Sequence, residues 1–150
     1  MSFRPAHKRS ALSGEKSVID FKITLFDIIN KMRREYIFYV YIISNYEKST
    51  FYTGFSNNIV RRIIEHKYGL GSEFSKKYKL RYLVYYEEYQ YADEAIAREK
   101  EIKKWRRENK INLIKSQNSN LKDLSDKLFE DYGISKEEIK EYVEELKKDR

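Results

Sequence analysis

The alternation of hydrophobic and polar positions is clearest between Phe38 and Gly54, in the run FYVYIISNYEKSTFYTG. Tyr39 and Tyr41 mark one face of a strand, and Val40 and Ile42 mark the other. Ser44 to Thr50 is polar and turn-prone. Phe51-Tyr52-Thr53 resumes strand composition, and Gly54 stops it. The pattern predicts a β-hairpin, and the simplest reading makes it a surface hairpin with half-buried tyrosines. The period then changes. Ile59, Val60, Ile63 and Ile64 fall on one helical stripe, predicting a helix capped by Ser56 or Asn57, running to about Tyr68 and ended by Gly69 and Gly71. A basic loop, Ser75 to Lys79, leads into a third strand, Arg81 to Tyr86.

A second helix is predicted from Tyr91 or Ala92 to Glu108, with Asp93 and Glu94 in its favourable first turn. Its inward stripe is Ala92, Ala95, Ile96, Ile102 and Trp105, and Glu99 lies in the middle of that stripe. A carboxylate facing a core requires a cation, a proton or a metal. Lys110 to Ile114 reads as a short extended or helical piece. Asn120 is expected to cap a short helix carrying Leu121, Leu124 and Leu128. Ser135 and Glu138 form a capping-box pattern with Ile134 as staple, ahead of a final helix carrying Ile139, Val143 and Leu146. That helix reads as an appendage or a pairing surface. Before the hairpin, residues 1–16 are basic and polar, and Ser17 to Lys31 mixes strand and helix periods. The expected organisation is an N-terminal extension over 1–31, a core domain over 32–130 and a C-terminal helical extension over 131–150.

Composition sharpens this only in places. The chain has 150 residues, of which 41% are hydrophobic and 37% charged. That suits one domain with exposed charged helices. The net charge of +7 favours polyanionic partners such as nucleic acid. The absence of cysteine excludes disulfides and thiolate metal sites. No apolar run is long enough to cross a bilayer, and Phe21 to Ile29 is too polar for a secretory signal. Cytoplasmic residence is the expectation.

Tyr41, Tyr52, Arg62, His66 and Glu99 are the parts a phosphodiester hydrolase needs. A phenol beside a cation can orient or deprotonate water, an arginine can fork onto a phosphate, and one carboxylate can anchor an oxygen-seeking divalent ion. Arg62 and His66 are four apart and share a helix face. Singly, each has a plainer reading: strand aromatics, a solvated arginine, a satisfied histidine, and a buried ion pair between Glu99 and Arg62. A basic surface accompanies them. Arg61, Lys67, Lys76, Lys77, Lys103, Lys104, Arg106 and Arg107 are interleaved with aromatic residues, a composition suited to phosphate contacts without base reading.

Tyr39-Val40-Tyr41, ten residues, then Tyr52-Thr53-Gly54 resembles the paired motif of the GIY-YIG nuclease superfamily. The runs FYTGFSNNIVRRIIEHK, LVYYEEY, EAIAREKEIKKWRRENKINLI and LKDLSDKLF resemble its small standalone bacterial YhbQ-like or UPF0213 group, over roughly Tyr36 to Phe129. The resemblance implies an α/β (α+β) fold, a small three-stranded antiparallel sheet flanked by helices. It implies Tyr41 as an active-site tyrosine and Tyr52 as the tyrosine proposed to activate water. It further implies Arg62 on the scissile phosphate, His66 beside it, Glu99 as ligand of Mg2+ or Mn2+, and Asn112 as a supporting asparagine. Tyr39 stands where the first motif has glycine, and Thr53 where the second has isoleucine; both are packing positions. The implied activity is metal-dependent hydrolysis of DNA, directed by structure or damage rather than by sequence, with RNA as an open alternative substrate. A nucleic-acid-binding protein with this fold and little or no catalysis is the alternative, and an interaction protein pairing through its last helix is a third.

Overall fold

The computed structural model describes residues 37–149, so the expectations placed on residues 1–31 and on a domain start near Met32 lie outside it. The chain order is β1 (Phe38–Ser44), β2 (Phe51–Ser56), α1 (Ile59–Lys67), α2 (Glu73–Lys77), β3 (Tyr82–Tyr89), α3 (Ala92–Lys103), α4 (Arg107–Gln117), α5 (Ser125–Asp131) and α6 (Lys136–Lys148). The strands form an antiparallel sheet in the order β2-β1-β3. β1 is therefore the middle strand, and helices cover both its faces. This is why the hairpin is not a surface feature and why Tyr39 and Tyr41 are each only 2% exposed.

The two-residue period of β1 divides the core. Tyr39, Tyr41 and Ile43 pack with Ile59, Ile63 and Ile64 of α1, and with Leu128, Ile134, Ile139 and Val143 from the C-terminal segment. Val40 and Ile42 point the other way, against Val84, Ala95, Ile102 and Ile114. Each aliphatic side chain buried in this way stabilises the fold by about 1.5–3 kcal/mol. α6 begins with the expected capping box between Ser135 and Glu138. Its Ile139 and Val143 are buried in the same core as Tyr41, which withdraws them from the pairing surface that the sequence pattern suggested.

Local boundaries moved where side chains found better partners. α1 is capped by Asn58 and not by Ser56 or Asn57. Ser56 belongs to β2, and its hydroxyl accepts the Asn58 N–H at 2.9 Å while Asn58 accepts from Arg61. The supposed loop at Ser75 contains the short α2, capped by Ser72. The helix predicted to reach Glu108 breaks after Lys103, because α4 must fold back for Ile114 to join Ile102 on one sheet face. Asn120 caps nothing. Leu124 N–H is held by the Leu83 carbonyl, and Asp123 receives the N–H and hydroxyl of Ser125, so α5 starts only there. No helix among the described residues is long and apolar enough to cross a membrane.

Candidate active site

Cross-strand register places Tyr41 opposite Gly54 and Ile43 opposite Tyr52, so Tyr41 and Tyr52 project from one face towards α1. The Tyr41 hydroxyl lies 3.1 Å from His66 Nε2. On the far side of the ring, His66 Nδ1 lies 3.1 Å from Ser75 Oγ. The Ser75 hydroxyl donates to the Ser72 carbonyl at 3.0 Å, which spends its single proton. Nδ1–H must then donate to Ser75 Oγ, leaving Nε2 to accept from the Tyr41 phenol. The chain of bonds fixes the tautomer of His66 without any carboxylate.

The environment supports that protonation state. Burial, with the Arg62 charge acting in the same direction, lowers the His66 pKa to about 4. Burial pushes the Tyr41 phenol well above its ordinary range. Arg62 pulls it back, while Tyr52, Glu65 and Glu99 add to the rise. Those same groups surround the phenol. The Tyr52 ring centre is 6.2 Å from that of His66. Arg62 is half exposed at the rim and pairs with the buried Glu65 at 3.6 Å, not with Glu99. The Glu99 side chain is 14% exposed and meets Lys103 Nζ at 2.6 Å. Lys103 Nζ also lies 5.7 Å from the Tyr52 ring centre, so it links the acid to the phenol. Among the described residues, no group of three or more His, Cys, Asp or Glu side chains converges as a metal cluster.

Tyr41, Tyr52, Arg62, His66 and Glu99 thus share one neighbourhood. The family model for the GIY-YIG catalytic domain matches residues 37–112. The chain belongs to the GIY-YIG superfamily. Within it the grouping is UPF0213-like. A UPF0213 protein of Staphylococcus saprophyticus is 40% identical over 76 residues, covering 51% of this chain and 92% of the relative. One from Staphylococcus aureus is 38% identical over 77 residues, covering 51% and 93%. No solved structure matches the chain.

The geometry explains the spacing of the GIY-YIG motifs in this chain. A Cβ at Gly54 would stand 2.4 Å from both Cζ and Oη of Tyr41. Glycine closes the second motif because the tyrosine of the first lies across it. Gly71 serves the histidine in the same way, since a Cβ there would stand 2.6 Å from His66 Nδ1 and 2.8 Å from Ser75 Oγ. Tyr39, at the position of the first motif's glycine, is buried, with its hydroxyl 2.7 Å from that of Tyr132. Thr53 is buried opposite Ile42, and its hydroxyl has no partner.

Other expected positions are used differently. Asn112 is exposed on α4, in a surface hollow with Trp105, Asn109, Leu113 and Ser116, rather than beside the tyrosines. The buried asparagine of this region is Asn118, which donates to the carbonyls of Val84 and Lys122 and accepts the Lys122 N–H. It braces the loop against β3. Lys67 is no free phosphate contact, because it binds Asp123 at 2.5 Å and the Arg81 carbonyl. Arg107 is likewise committed, holding the carbonyls of Lys48 and Ser49 across the β1–β2 turn. Lys103 sits on Glu99, and Arg61 pairs with Glu65. Lys77, Lys104 and Arg106 are exposed, and the exposed Lys76 meets only the solvent-facing Glu73. Sequence reading gave Gly71 only a helix-stop role and Ser75 only a place in a basic loop, and it did not single out Asn118. A serine nine residues after the histidine, with glycine between them, carries no signal until a turn folds it back.

Proposed function

We propose that this protein is a divalent-metal-dependent nuclease that hydrolyses DNA, selecting structure or damage rather than sequence. The observation that carries this reading is the hydrogen-bonded Tyr41–His66 pair with Tyr52, Arg62 and Glu99 around it, in a chain of the GIY-YIG superfamily. Arg62 donates to the phosphoryl oxygens and holds the phosphodiester at the rim. Tyr52 positions the attacking water through its hydroxyl, with the Lys103 ammonium 5.7 Å from its ring centre. Water oxygen joins phosphorus and the bond to the leaving oxygen breaks; the Tyr52 phenol passes its own proton to bulk water as it takes one from the attacking water, and the leaving oxygen takes up a proton from solvent. His66, neutral and fixed in its tautomer, orients Tyr41.

Glu99 is the residue that would hold Mg2+ or Mn2+. A single, mostly buried carboxylate beside the phenols, once released by Lys103, would suit a hard divalent ion that draws its other ligands from water and substrate oxygens. Such an ion would supply Lewis-acid stabilisation of the charge on phosphate and leaving oxygen. Labelled duplex, nicked, branched and single-stranded DNA, incubated with each metal, tests the reading. Wild type is expected to cleave at least one form, and Glu99→Gln to cleave about 100-fold more slowly or worse. Equal cleavage by both eliminates the mechanism.

The 2.6 Å contact of Lys103 with Glu99 favours a second reading, a nucleic-acid-binding protein with little turnover. In that case a lysine holds the place an ion would take. Binding would be salt-sensitive and indifferent to magnesium, and Mn2+ would not bind measurably in calorimetry.

A further inference from the structure

An aromatic ladder leads out of the site along α2. The Tyr52 and Phe74 ring centres are 6.0 Å apart, and those of Phe74 and Tyr78 are 4.7 Å apart. Phe74 is 45% exposed and Tyr78 41% exposed, so the ladder climbs from the half-buried phenol to open solvent. Packing does not require this, because the buried residue of α2 is Ser75 and the core behind it is closed by Leu80. The platform is nevertheless anchored. Ser75 is tied to His66 and to Ser72, and the Leu80 N–H is held by the Ser75 carbonyl. Cations flank it: Lys77 Nζ is 5.3 Å from the Tyr78 ring centre, Lys76 and Lys79 are exposed on the same segment, and Lys103 lies against Tyr52.

Half-exposed rings stepping away from the site where Arg62 is proposed to hold phosphate, with lysines alongside, suit unstacked bases on a phosphate backbone. The bases of an intact duplex have their faces covered by one another and offer none to a protein ring. We infer that Phe74 and Tyr78 form a stacking platform for one or two unpaired nucleotides beside the reacting phosphate, so the preferred substrate is single-stranded DNA or a single-stranded tail, flap or gap. This rests on the nuclease reading for its place at the site, but its binding step does not need catalysis.

The test is fluorescence anisotropy with the full chain in EDTA, using one labelled oligodeoxynucleotide as a single strand and as a blunt duplex. Wild type is expected to bind the single strand at least 10-fold more tightly. Phe74→Ala and Tyr78→Ala are each expected to weaken single-strand binding about 10- to 100-fold and duplex binding less than about twofold. Phe74→Leu keeps apolar bulk without a ring face and is expected to behave like alanine, whereas Phe74→Trp restores binding. Equal affinity for the two DNA forms overturns the platform, as does full single-strand affinity in Phe74→Leu. A parallel cleavage assay with magnesium separates the two ideas. Cleavage without single-strand preference sinks the platform alone, and selective binding without cleavage sinks the nuclease reading alone.

Discussion

Gly54→Ala puts a single methyl where the Tyr41 ring already is. Its Cβ would lie 2.4 Å from Cζ and Oη and 2.9 Å from Cε1. Ordinary contact begins roughly 1 Å further out. Tyr41 cannot simply swing aside, because it is 2% exposed and its hydroxyl is bonded to His66. Overpacking costs about 1–3 kcal/mol. Breaking the buried Tyr41–His66 bond adds roughly 1–3 kcal/mol, because two desolvated polar groups lose each other. Reduced freedom in the unfolded chain returns about 0.4–1 kcal/mol. The net loss is about 1–5 kcal/mol, centred near 3, a fall of roughly 10 °C in Tm at the centre of that range. Thermal unfolding by circular dichroism measures it, and NMR of the His66 ring shows whether the bond to Tyr41 survives. Gly133→Ala is the control: nothing lies within 4 Å of its Cβ, so only backbone strain at φ +68° acts, costing about 1 kcal/mol and leaving His66 untouched. If Gly54→Ala melts within about 1 °C of wild type with unmoved ring signals, the account of the motif glycine is wrong.

Two further outcomes follow from buried polar groups. The His66 pKa falls from 6.5 to about 4 on folding, so the unfolded chain binds a proton that the native protein refuses; stability is complete above about pH 6.5 and is lost as pH drops through 4, by up to about 3 kcal/mol. Urea midpoints from pH 7 to 4 should fall further for wild type than for His66→Gln, and parallel curves would refute this. Thr53→Val removes a buried hydroxyl without a partner and keeps the shape, so it is expected to stabilise by about 1 kcal/mol in the same unfolding assay; a loss of stability would show that the hydroxyl is used.

The strands, the amphipathic α1 and the capping box of α6 follow from period and cap chemistry, which act over a few residues and can be read without a fold. Of the candidate set, Glu99 stood out by pattern, because a carboxylate in an apolar stripe has few inexpensive explanations, whereas Tyr41, Tyr52, Arg62 and His66 each had a plainer reading and were gathered by the resemblance to the GIY-YIG motifs. Tertiary structure alone decided which residues serve them. Ser75 reaches His66 only because α2 folds under the imidazole, and Gly54 matters only because antiparallel register lays Tyr41 across it. Lys67 and Arg107 look like any other surface cations in the sequence, yet one anchors Asp123 and the other clasps the β1–β2 turn. Periodicity records which way a side chain faces. What it meets there depends on contacts between residues far apart in the chain, and their spacing leaves no mark in the sequence.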